Sequence, residues 1–416
     1  MKVKEWLVRP QPRLGVVGLL VFLVASSVIT PLSLDMYTPA VPHMAEYFGT
    51  DVTLVNMTLV GYYLFFAVGM LVFGPLSDRH GRKPLLLVGC SLYAVGSAVC
   101  ALAPTIEVLI GARVIEALGA GCLSAVCMAA VKDSFQALYR EKILSIIQVL
   151  FVVGPAIAPV IGAGVVTVAD WRMTFWILTA VGAFCLVLTI LFEETCPAPD
   201  RTGGTLLHVL GRLVVVGKNK GFMAFLLTMS LYEIPFMGYI AVGSYIYIDM
   251  FSVGEFGYSL FFSVAAIIMS AGPMIWLAVS KRVSVRSFTT WAFVVAIVAG
   301  VAMLAIGATS AVAFCAVFVA YALVESCTRP YSMNILLEQQ AHDAGSASAL
   351  MNCIRTAVGS IGMALAALPW PNYVMGIGVL MVACMSVALV SWVALMRSRI
   401  PLVCVKDAEP VNPWRQ

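Results

Sequence analysis

Long uncharged segments joined by short polar connections constrain this chain more than any other feature of its 416 residues. The first such segment runs from Leu14 to Leu34, 21 residues without a charge. A helix needs about 20 apolar residues to cross the hydrocarbon core of a bilayer. Because 61% of the residues are hydrophobic and only 11% are charged, the chain is far more apolar than a soluble domain. The sequence therefore predicts an integral membrane protein with short loops and no sizeable soluble domain.

Hydropathy and the placement of Gly, Pro and charged residues divide the chain into twelve predicted spanning helices. They cover residues 14–43, 54–76, 84–103, 106–131, 143–167, 173–192, 222–248, 258–280, 287–307, 310–337, 345–368 and 373–396. The longest polar connection, 193–221, follows the sixth helix. We expect an all-α membrane protein with an N-terminal six-helix bundle over 1–192, a cytoplasmic linker over 193–221, a C-terminal six-helix bundle over 222–396 and a cytoplasmic tail over 397–416.

The Lys and Arg residues between the predicted helices indicate their orientation. Of the 25 basic residues, all but four lie in the terminal segments or in every second connection. Three of these four, Arg113, Arg329 and Arg355, lie within predicted helices, and Arg172 lies in an opposite connection. Because cytoplasmic loops carry the excess of Lys and Arg, both termini are predicted to be cytoplasmic. The net charge of +4 therefore reflects membrane topology, and we expect no nucleic-acid partner.

The connection between the second and third helices, residues 74–84, reads GlyProLeuSerAspArgHisGlyArgLysPro. Its glycines suit a short turn. Asp78 forms a compact charged cluster with Arg79, Arg82 and Lys83 at the predicted inner face. A solvated basic loop would also have this composition. However, the spacing G-x-L-x-D-R-x-G-R-K resembles the signature loop of the major facilitator superfamily.

Further motifs resemble one branch of that superfamily, the bicyclomycin/chloramphenicol-resistance branch of the drug:proton antiporters. They are LeuIleGlyAlaArgValIleGlu at 109–116, the pair Lys132-Asp133, GlyProAlaIleAlaProValIleGly at 154–162, AspTrpArgMetThrPhe at 170–175, GluGluThr at 193–195, GlySerTyrIleTyrIle at 243–248 and GlySerAlaSerAlaLeu at 345–350. The resemblance covers residues 14–396 and implies the major facilitator fold, two pseudo-symmetric six-helix bundles. Two features depart from it. Glu116 stands where the family usually has glutamine, and the loop 280–286 keeps only the charge of the signature loop.

The resemblance implies a conformational latch at the inner face, which breaks when the two halves rock apart. In this latch Asp78 would be held by the positive end of a helix that starts near Ala344 to Ser346. Arg82 would pair with Asp133. The residues assigned to the latch are Gly74, Asp78, Arg79, Gly81, Arg82 and Asp133.

The motif in the fifth helix combines residues that lack a backbone donor or a side chain. They allow the helix to bend and to approach a neighbour closely. A packing kink and a functional hinge both fit this composition, and the resemblance implies a hinge that seals the halves of an antiporter against leak. The hinge residues are Gly154, Pro155, Pro159 and Gly162.

Ionisable residues inside the predicted spans cost a few kcal/mol each, so each is expected to have a partner or a function. They are Asp35, Arg113, Glu116, Glu233, Glu325, Arg329 and Arg355. Arg113 and Glu116 are three residues apart, and Glu325 and Arg329 are four apart, so each pair shares one helix face and can neutralise itself. Asp35 and Glu233 have no basic partner in their own helix.

Asp35 and Glu233 are therefore candidates for proton coupling, together with Arg113, whose position the resemblance implicates. A carboxylate that exchanges a proton can attract a cationic substrate once it is ionised. Two alternatives stay open. Asp35 lies about 32 Å along the helix from Leu14 at 1.5 Å per residue, so it can instead cap the outer end of the span. Glu233 can instead bond a neighbouring helix.

Aromatic residues near these acids can line an apolar cavity that takes flat or cationic molecules, although helix packing is the common alternative. The candidate substrate-binding residues are Tyr37, Glu116, Tyr232, Glu233 and Tyr239.

The sequence contains no Ser/His/Asp set, metal-ligand spacing or phosphate-binding loop, so we expect no enzyme, no cofactor and no metal site. It predicts a monomer in the bacterial cytoplasmic (inner) membrane. The predicted function is export of small drug-like compounds, hydrophobic or cationic, in exchange for protons, with the lipid bilayer as the other partner. Export of a metabolite such as an amino acid, sugar or siderophore is one alternative, and a non-transporting scaffold on the same fold is another.

Overall fold

The structure is a computed structural model that describes residues 7–8, 11–197, 206–340, 344–403 and 405. Apart from an isolated antiparallel bridge between Leu7 and Phe135, the regular structure of these residues is helical. Contacts divide the chain into two compact units, Met1–Val209 and Leu210–Gln416. The division falls inside the predicted linker 193–221.

In its described part the first unit has seven α-helices and a short 3₁₀-helix. They are α1 (Gly15–Asp35), the 3₁₀-helix Thr38–Ala40, α2 (Val41–Phe48), α3 (Val52–His80), α4 (Arg82–Leu102), α5 (Ile106–Ser134), α6 (Ala137–Val168) and α7 (Arg172–Leu191). A further helix, α8 (Leu206–Gly217), crosses the boundary between the units. It occupies part of the predicted linker, of which residues 198–205 lie outside the described residues.

The second unit is built from eight further α-helices and a π-helix within its described residues. They are α9 (Lys220–Ser230), α10 (Glu233–Ser244), the π-helix Tyr245–Met250, α11 (Gly254–Ser270), α12 (Gly272–Val279), α13 (Val285–Ile306), α14 (Ala311–Glu338), α15 (Ala344–Ala366) and α16 (Tyr373–Arg397).

Eleven stretches of the described chain are long and apolar enough to cross a membrane. A shorter apolar stretch, Gly154–Val168, is the C-terminal part of α6. Each of the twelve predicted spans overlaps one of these stretches, so the prediction of an all-α protein with twelve spanning helices is confirmed. The agreement has a simple cause, because length and apolar composition alone decide which segments cross a bilayer.

The first spanning segment, Gly15–Phe48, is interrupted after Asp35. α1 ends at this residue, and the 3₁₀-helix Thr38–Ala40 then leads into α2. Pro39 and Pro42 lack a backbone N–H and cannot donate the helical hydrogen bond that a regular continuation requires. The prolines therefore explain why the helix changes its winding at this point.

The seventh spanning segment, Lys220–Met250, is interrupted between α9 and α10. Glu233 is the first residue of α10, where the positive end of the helix dipole favours a carboxylate. Pro235 lies in the first turn of α10, where its missing N–H costs no helical hydrogen bond. The first spanning segment of each unit is thus interrupted.

Close packing inside the first unit depends on two glycines of α5. A Cβ on Gly121 would overlap the backbone carbonyl of Phe66 in α3, and a Cβ on Gly119 would lie 2.7 Å from the carbonyl oxygen of Gly89 in α4. Because hydrogen is the only side chain that fits, α5 can pack directly against both neighbours.

Candidate functional site

Asp35 and Glu233 occupy corresponding places, since each lies at the interruption in the first spanning segment of its unit. In membrane transporters, interrupted helices commonly carry the substrate and ion sites, because the break exposes backbone groups and helix ends at depth. Sequence reasoning selected both acids for lacking a partner in their own helix. In the structure, both acids also lie at helix breaks.

Asp35 is buried in the first unit, with 5% of the residue exposed. Its backbone carbonyl accepts a hydrogen bond of 2.8 Å from the Thr38 hydroxyl. Among the described residues, no hydrogen bond or ion pair reaches its carboxylate. After the interruption the chain is helical again as far as Phe48, so the apolar segment continues beyond Asp35, and the depth of Asp35 in the membrane stays a prediction.

The backbone around Asp35 is fixed by its neighbours in sequence. The Ser33 hydroxyl lies 2.7 Å from the Tyr93 hydroxyl of α4. The Tyr37 hydroxyl lies 3.0 Å from that of Thr58 in α3. These contacts hold the end of α1 on both sides of the carboxylate, so Asp35 has little freedom to reach a distant partner.

Two glycines of the predicted hinge pack against α1 close to Asp35. A Cβ on Gly154 would lie 2.7 Å from Cγ of Pro31, and a Cβ on Gly162 would overlap the backbone carbonyl of Met36. The helix α6 passes without a break through Pro155 and Pro159. The structure thus shows the close approach that the composition predicted, and the hinge function stays a prediction.

Arg113 lies on α5 with its side chain fully buried. Its Nη1 donates to Oε2 of Glu116 at 2.9 Å, which confirms the predicted pair. Three aromatic rings surround the guanidinium carbon, with centroids at 5.0 Å for Tyr37, 4.3 Å for Tyr62 and 5.6 Å for Phe175. Its Nε and Nη2 have no hydrogen-bond acceptor within the described part of the chain. Tyr37 thus connects the segment of Asp35 to the buried arginine.

Glu116 is also fully buried and is well supplied with donors. Its Oε1 accepts from the Ser97 hydroxyl at 3.0 Å, and its Oε2 accepts from the Cys100 thiol at 3.8 Å as well as from Arg113. A Cβ on Gly96 of α4 would lie 2.6 Å from the Glu116 backbone nitrogen. In this conformation the carboxylate is therefore enclosed by α4, and its predicted contact with substrate stays a prediction.

In the second unit Glu233 takes part in a network of four charges from α10, α14 and α15. Nε of Arg355 donates to its Oε1 at 2.9 Å, and Nη2 of Arg355 binds the same oxygen. Arg329 donates from Nε to Oε1 of Glu325 at 2.6 Å, which confirms the predicted pair. Arg329 Nη2 also lies 3.7 Å from Glu233 Oε2, and Arg355 Nη2 lies 3.5 Å from Glu325 Oε1. Glu233 thus follows the alternative that the sequence left open, a bond to neighbouring helices.

The four charges differ greatly in exposure. The side chains of Glu233 and Glu325 are 6% and 1% exposed, whereas those of Arg329 and Arg355 are 42% and 20% exposed. Oε2 of Glu325 is buried without a hydrogen-bond partner among the described residues. The guanidinium carbon of Arg329 lies 5.4 Å from the centroid of Phe236. The network is neutral in total but presents its positive groups outward.

The predicted substrate-binding tyrosines of this unit are buried among other rings. Tyr232 stacks on Phe293 with centroids 5.2 Å apart, and Tyr239 stacks on Phe318 at 3.7 Å. The Tyr321 hydroxyl donates to the Tyr232 carbonyl at 2.8 Å. Here the structure shows the aromatic packing that was the stated alternative. Substrate contact by these tyrosines stays a prediction.

Arg82 forms ion pairs with two acids of the predicted latch. Arg82 donates from Nε to Oδ2 of Asp133 at 2.9 Å and pairs with Asp78 at 2.6 Å, so the predicted pairing with Asp133 is confirmed. Gly81 has φ of +97°, a backbone conformation that favours glycine. Arg79 is exposed.

The rest of the latch is not tested. A Cβ on Gly74 would find only an ordinary contact, 3.8 Å from the Cβ of Ala125. The helix start proposed for Asp78 belongs to the second unit, and residues 341–343 lie outside the described residues. The latch function therefore stays a prediction.

Glu194 is a residue of this region to which sequence reasoning gave no role. Its Oε1 accepts from the backbone N–H of Arg82 at 2.8 Å, and its Oε2 accepts from that of Lys83 at 3.1 Å. Oε1 also accepts from the N–H of Cys196 at 2.9 Å. Glu194 therefore caps the start of α4 from the end of α7. The motif GluGluThr was the available signal, but the partners lie 111 and 112 residues away in sequence.

Comparisons with known proteins agree with this architecture. The model of the Major Facilitator Superfamily matches residues 23–363. The MFS-type transporter YdgK of Bacillus subtilis, itself uncharacterised, is 28% identical over 80% of this chain and 85% of its own length. The multidrug resistance protein MdtL of Escherichia coli is 31% identical over 41% of this chain, a match that spans only 44% of MdtL.

Solved structures show the same fold at low sequence identity. The peptide transporter POT superposes with a TM-score of 0.72 at 15% identity, covering 91% of this chain and 93% of POT. A D-xylose-proton symporter superposes with a TM-score of 0.68 at 16% identity, covering 92% of this chain and 98% of the symporter. The predicted major facilitator fold is thereby confirmed, and the chain belongs to the Major Facilitator Superfamily.

Proposed function

We propose that this transporter is a proton-coupled antiporter that exports small drug-like compounds, hydrophobic or cationic, by alternating access. One observation carries the proposal: Asp35 is buried at a helix break, and its carboxylate has no partner among the described residues. An unpartnered anion inside a membrane protein is costly. Such a carboxylate is suited to holding either a proton or a positively charged group.

The exchange follows from competition for this one carboxylate. In the outward-facing state, an external proton would displace the substrate from Asp35. In the inward-facing state, a cytoplasmic substrate would displace the proton. No covalent chemistry is needed, because alternating access converts this competition into antiport.

Arg113, which contacts Tyr37 two residues after Asp35, would support this cycle. Its charge is neutralised by Glu116, but its Nε and Nη2 have no acceptor among the described residues and can bind a substrate oxygen. Arg82, Asp78 and Asp133 would stabilise one state of the cycle as a latch. We further propose that the protein works as a monomer in the bacterial inner membrane with both termini in the cytoplasm.

Two considerations support drug-like substrates. The partial relative MdtL is named a multidrug resistance protein. In addition, three aromatic rings surround Arg113 in the same unit as Asp35; they are buried in this conformation and would line a cavity for a flat or cationic molecule when the unit opens. A susceptibility panel in an efflux-deficient bacterial host, with and without the transporter, separates drug export from metabolite export.

The direct test measures proton release. Purified full-length protein in weakly buffered detergent is titrated with the cationic dye ethidium, and a pH-sensitive fluorophore reports released protons. We expect release from the wild type and none from Asp35→Asn, because the amide holds no exchangeable acid proton. Asp51→Asn is the matched control, since Asp51 is exposed and its side chain makes no capping hydrogen bond. Undiminished release from folded Asp35→Asn would refute the assignment.

A further inference from the structure

We propose that the second unit recognises a carboxylate of the exported compound through Arg329, so that aromatic acids and zwitterions bind more tightly than cations that lack a carboxylate. This inference rests on the proposed function only in that the ligand is the exported compound. It assigns to the four-charge network a role beyond neutralising charges.

Arg329 lies near the middle of its helix. The helix α14 runs from Ala311 to Glu338, so Glu325 lies at its middle and Arg329 one turn further, about 6 Å along the axis. A charged side chain near the middle of a span is stable only inside the bundle or where water reaches it. Because 42% of the Arg329 side chain is exposed, this side of the second unit must be wetted and is open to a solute.

The exposed groups of the network are positively charged. Glu233 and Glu325 are almost fully covered, whereas Arg329 and Arg355 are the exposed members of the network. A cation approaching the network from this side meets the guanidinium groups of Arg329 and Arg355 before it meets Glu233 or Glu325. Like charges at close range disfavour binding, so the surface favours an anion.

The shape of a guanidinium group suits it to binding a carboxylate. A guanidinium group has five N–H donors in a planar fork that matches the two oxygens of a carboxylate. Nε of Arg329 is used by Glu325, which fixes the plane of the fork. The guanidinium carbon of Arg329 lies over the ring of Phe236, 5.4 Å from its centroid. A carboxylate attached to an aromatic ring would therefore satisfy both the fork and the ring.

The network leaves one carboxylate oxygen of Glu325 unpartnered among the described residues. Oε2 of Glu325 is buried and has no hydrogen-bond donor among the described residues, and such a group costs free energy. An incoming carboxylate that draws Arg329 outward would leave Arg355, 3.5 Å from Glu325 Oε1, to neutralise this acid. Arg355 would then be shared by Glu233 and Glu325, so both acids keep an arginine nearby while Arg329 binds the ligand.

The test compares rhodamine B, which carries a free carboxylate, with rhodamine B methyl ester, which has the same ring system without the negative charge. Fluorescence anisotropy with purified full-length protein gives the Kd of each dye. We expect the acid to bind about tenfold more tightly than the ester, as one charge-assisted interaction allows. Benzoate should compete with the acid, and benzamide should not.

Arg329→Gln is expected to bring the ratio of the two Kd values to about one, and Arg329→Lys to reduce it partly, because lysine keeps the charge but loses the fork. Arg286→Gln is the matched control, since Arg286 is exposed at the start of α13. If Arg329→Gln is poorly folded, the charge-balanced variant E325Q/R329Q provides the same comparison.

Equal binding of the two dyes, preference for the ester, absence of binding to folded wild type, or an unchanged ratio in folded Arg329→Gln would each overturn the inference. Proton release recorded in the same titrations keeps the two proposals apart. Acid preference without proton release would contradict antiport and leave the Arg329 site standing. Proton release without acid preference would contradict the Arg329 site and leave antiport standing.

Discussion

Replacing Gly162 by alanine tests whether the contact between α6 and α1 is essential to the site. A Cβ at this position would lie 2.8 Å from the Met36 carbonyl carbon and 3.1 Å from its Cα, and would overlap its oxygen. Backbone atoms cannot rotate away as a flexible side chain can, so α6 would have to move away from α1. Since Met36 follows Asp35 directly, the displacement would reach the proposed proton site.

The magnitude follows from two opposing effects. Overpacking a close contact costs about 1–3 kcal/mol, whereas replacing glycine by alanine inside a helix gains about 1 kcal/mol. Gly164 provides the matched control, because it lies on the same helix and a Cβ there would meet nothing within 4 Å. We therefore expect Gly162→Ala to have a free energy of unfolding about 1–3 kcal/mol below that of Gly164→Ala, which keeps the gain without the cost.

The assay is equilibrium unfolding in mixed detergent micelles, followed by tryptophan fluorescence, together with ethidium-dependent proton release. Gly162→Ala should be less stable than Gly164→Ala and should release fewer protons, whereas Gly164→Ala should match the wild type in release. Equal stability of the two variants would show that α6 adjusts to the added methyl group without cost. Equal proton release would show that the close packing next to Asp35 is not required for function.

Two further predictions concern charges that sequence reasoning did not connect. Glu194→Gln should lower the free energy of unfolding by about 1 kcal/mol, as expected for a weakened helix cap. Glu193→Gln should have little effect in the same unfolding assay, because among the described residues its side chain makes a single long ion pair, at 3.6 Å. Arg355→Gln leaves Glu233 and Glu325 with one shared arginine and should cost about 3 kcal/mol, and a loss below the Glu194→Gln value would show that Arg329 alone neutralises both acids.

The sequence predicted the features that depend on neighbouring residues. Span positions follow from local composition, and the pairs Arg113–Glu116 and Glu325–Arg329 follow from helix periodicity, because residues three or four apart share a face. The partner of Glu233 could not be found in this way. Arg355 lies 122 residues later, and which of its faces α15 turns toward α10 is set by packing that no single helix encodes.

The aromatic residues show the same limit. Tyr232 and Tyr239 flank an intramembrane acid in sequence, which is compatible with lining a binding site or with filling the core. Their rings turn to Phe293 and Phe318 because the rotation of α10 is set by its contact with α15, where a Cβ on Gly362 would overlap the Ile234 carbonyl. Helix rotation is a tertiary property, so a list of aromatic residues near an acid does not reveal which of them a ligand can reach.

The two units treat their carboxylates differently, and this difference bears on how the proposed cycle conserves charge. In the second unit Glu233 and Glu325 each face an arginine, so protonating either acid would strand a positive charge. In the first unit Glu116 is equally occupied by Arg113, whereas the carboxylate of Asp35 has no ionic partner among the described residues. Protonating Asp35 therefore strands nothing, which makes it the acid best suited to carry a proton. If Asp35 alone exchanges, one proton replaces one cationic group, and a substrate that also presents a carboxylate to Arg329 leaves the cell as a neutral zwitterion. Its export would then move one net charge inward per cycle, and the membrane potential would contribute about 2.3 kcal/mol per 100 mV.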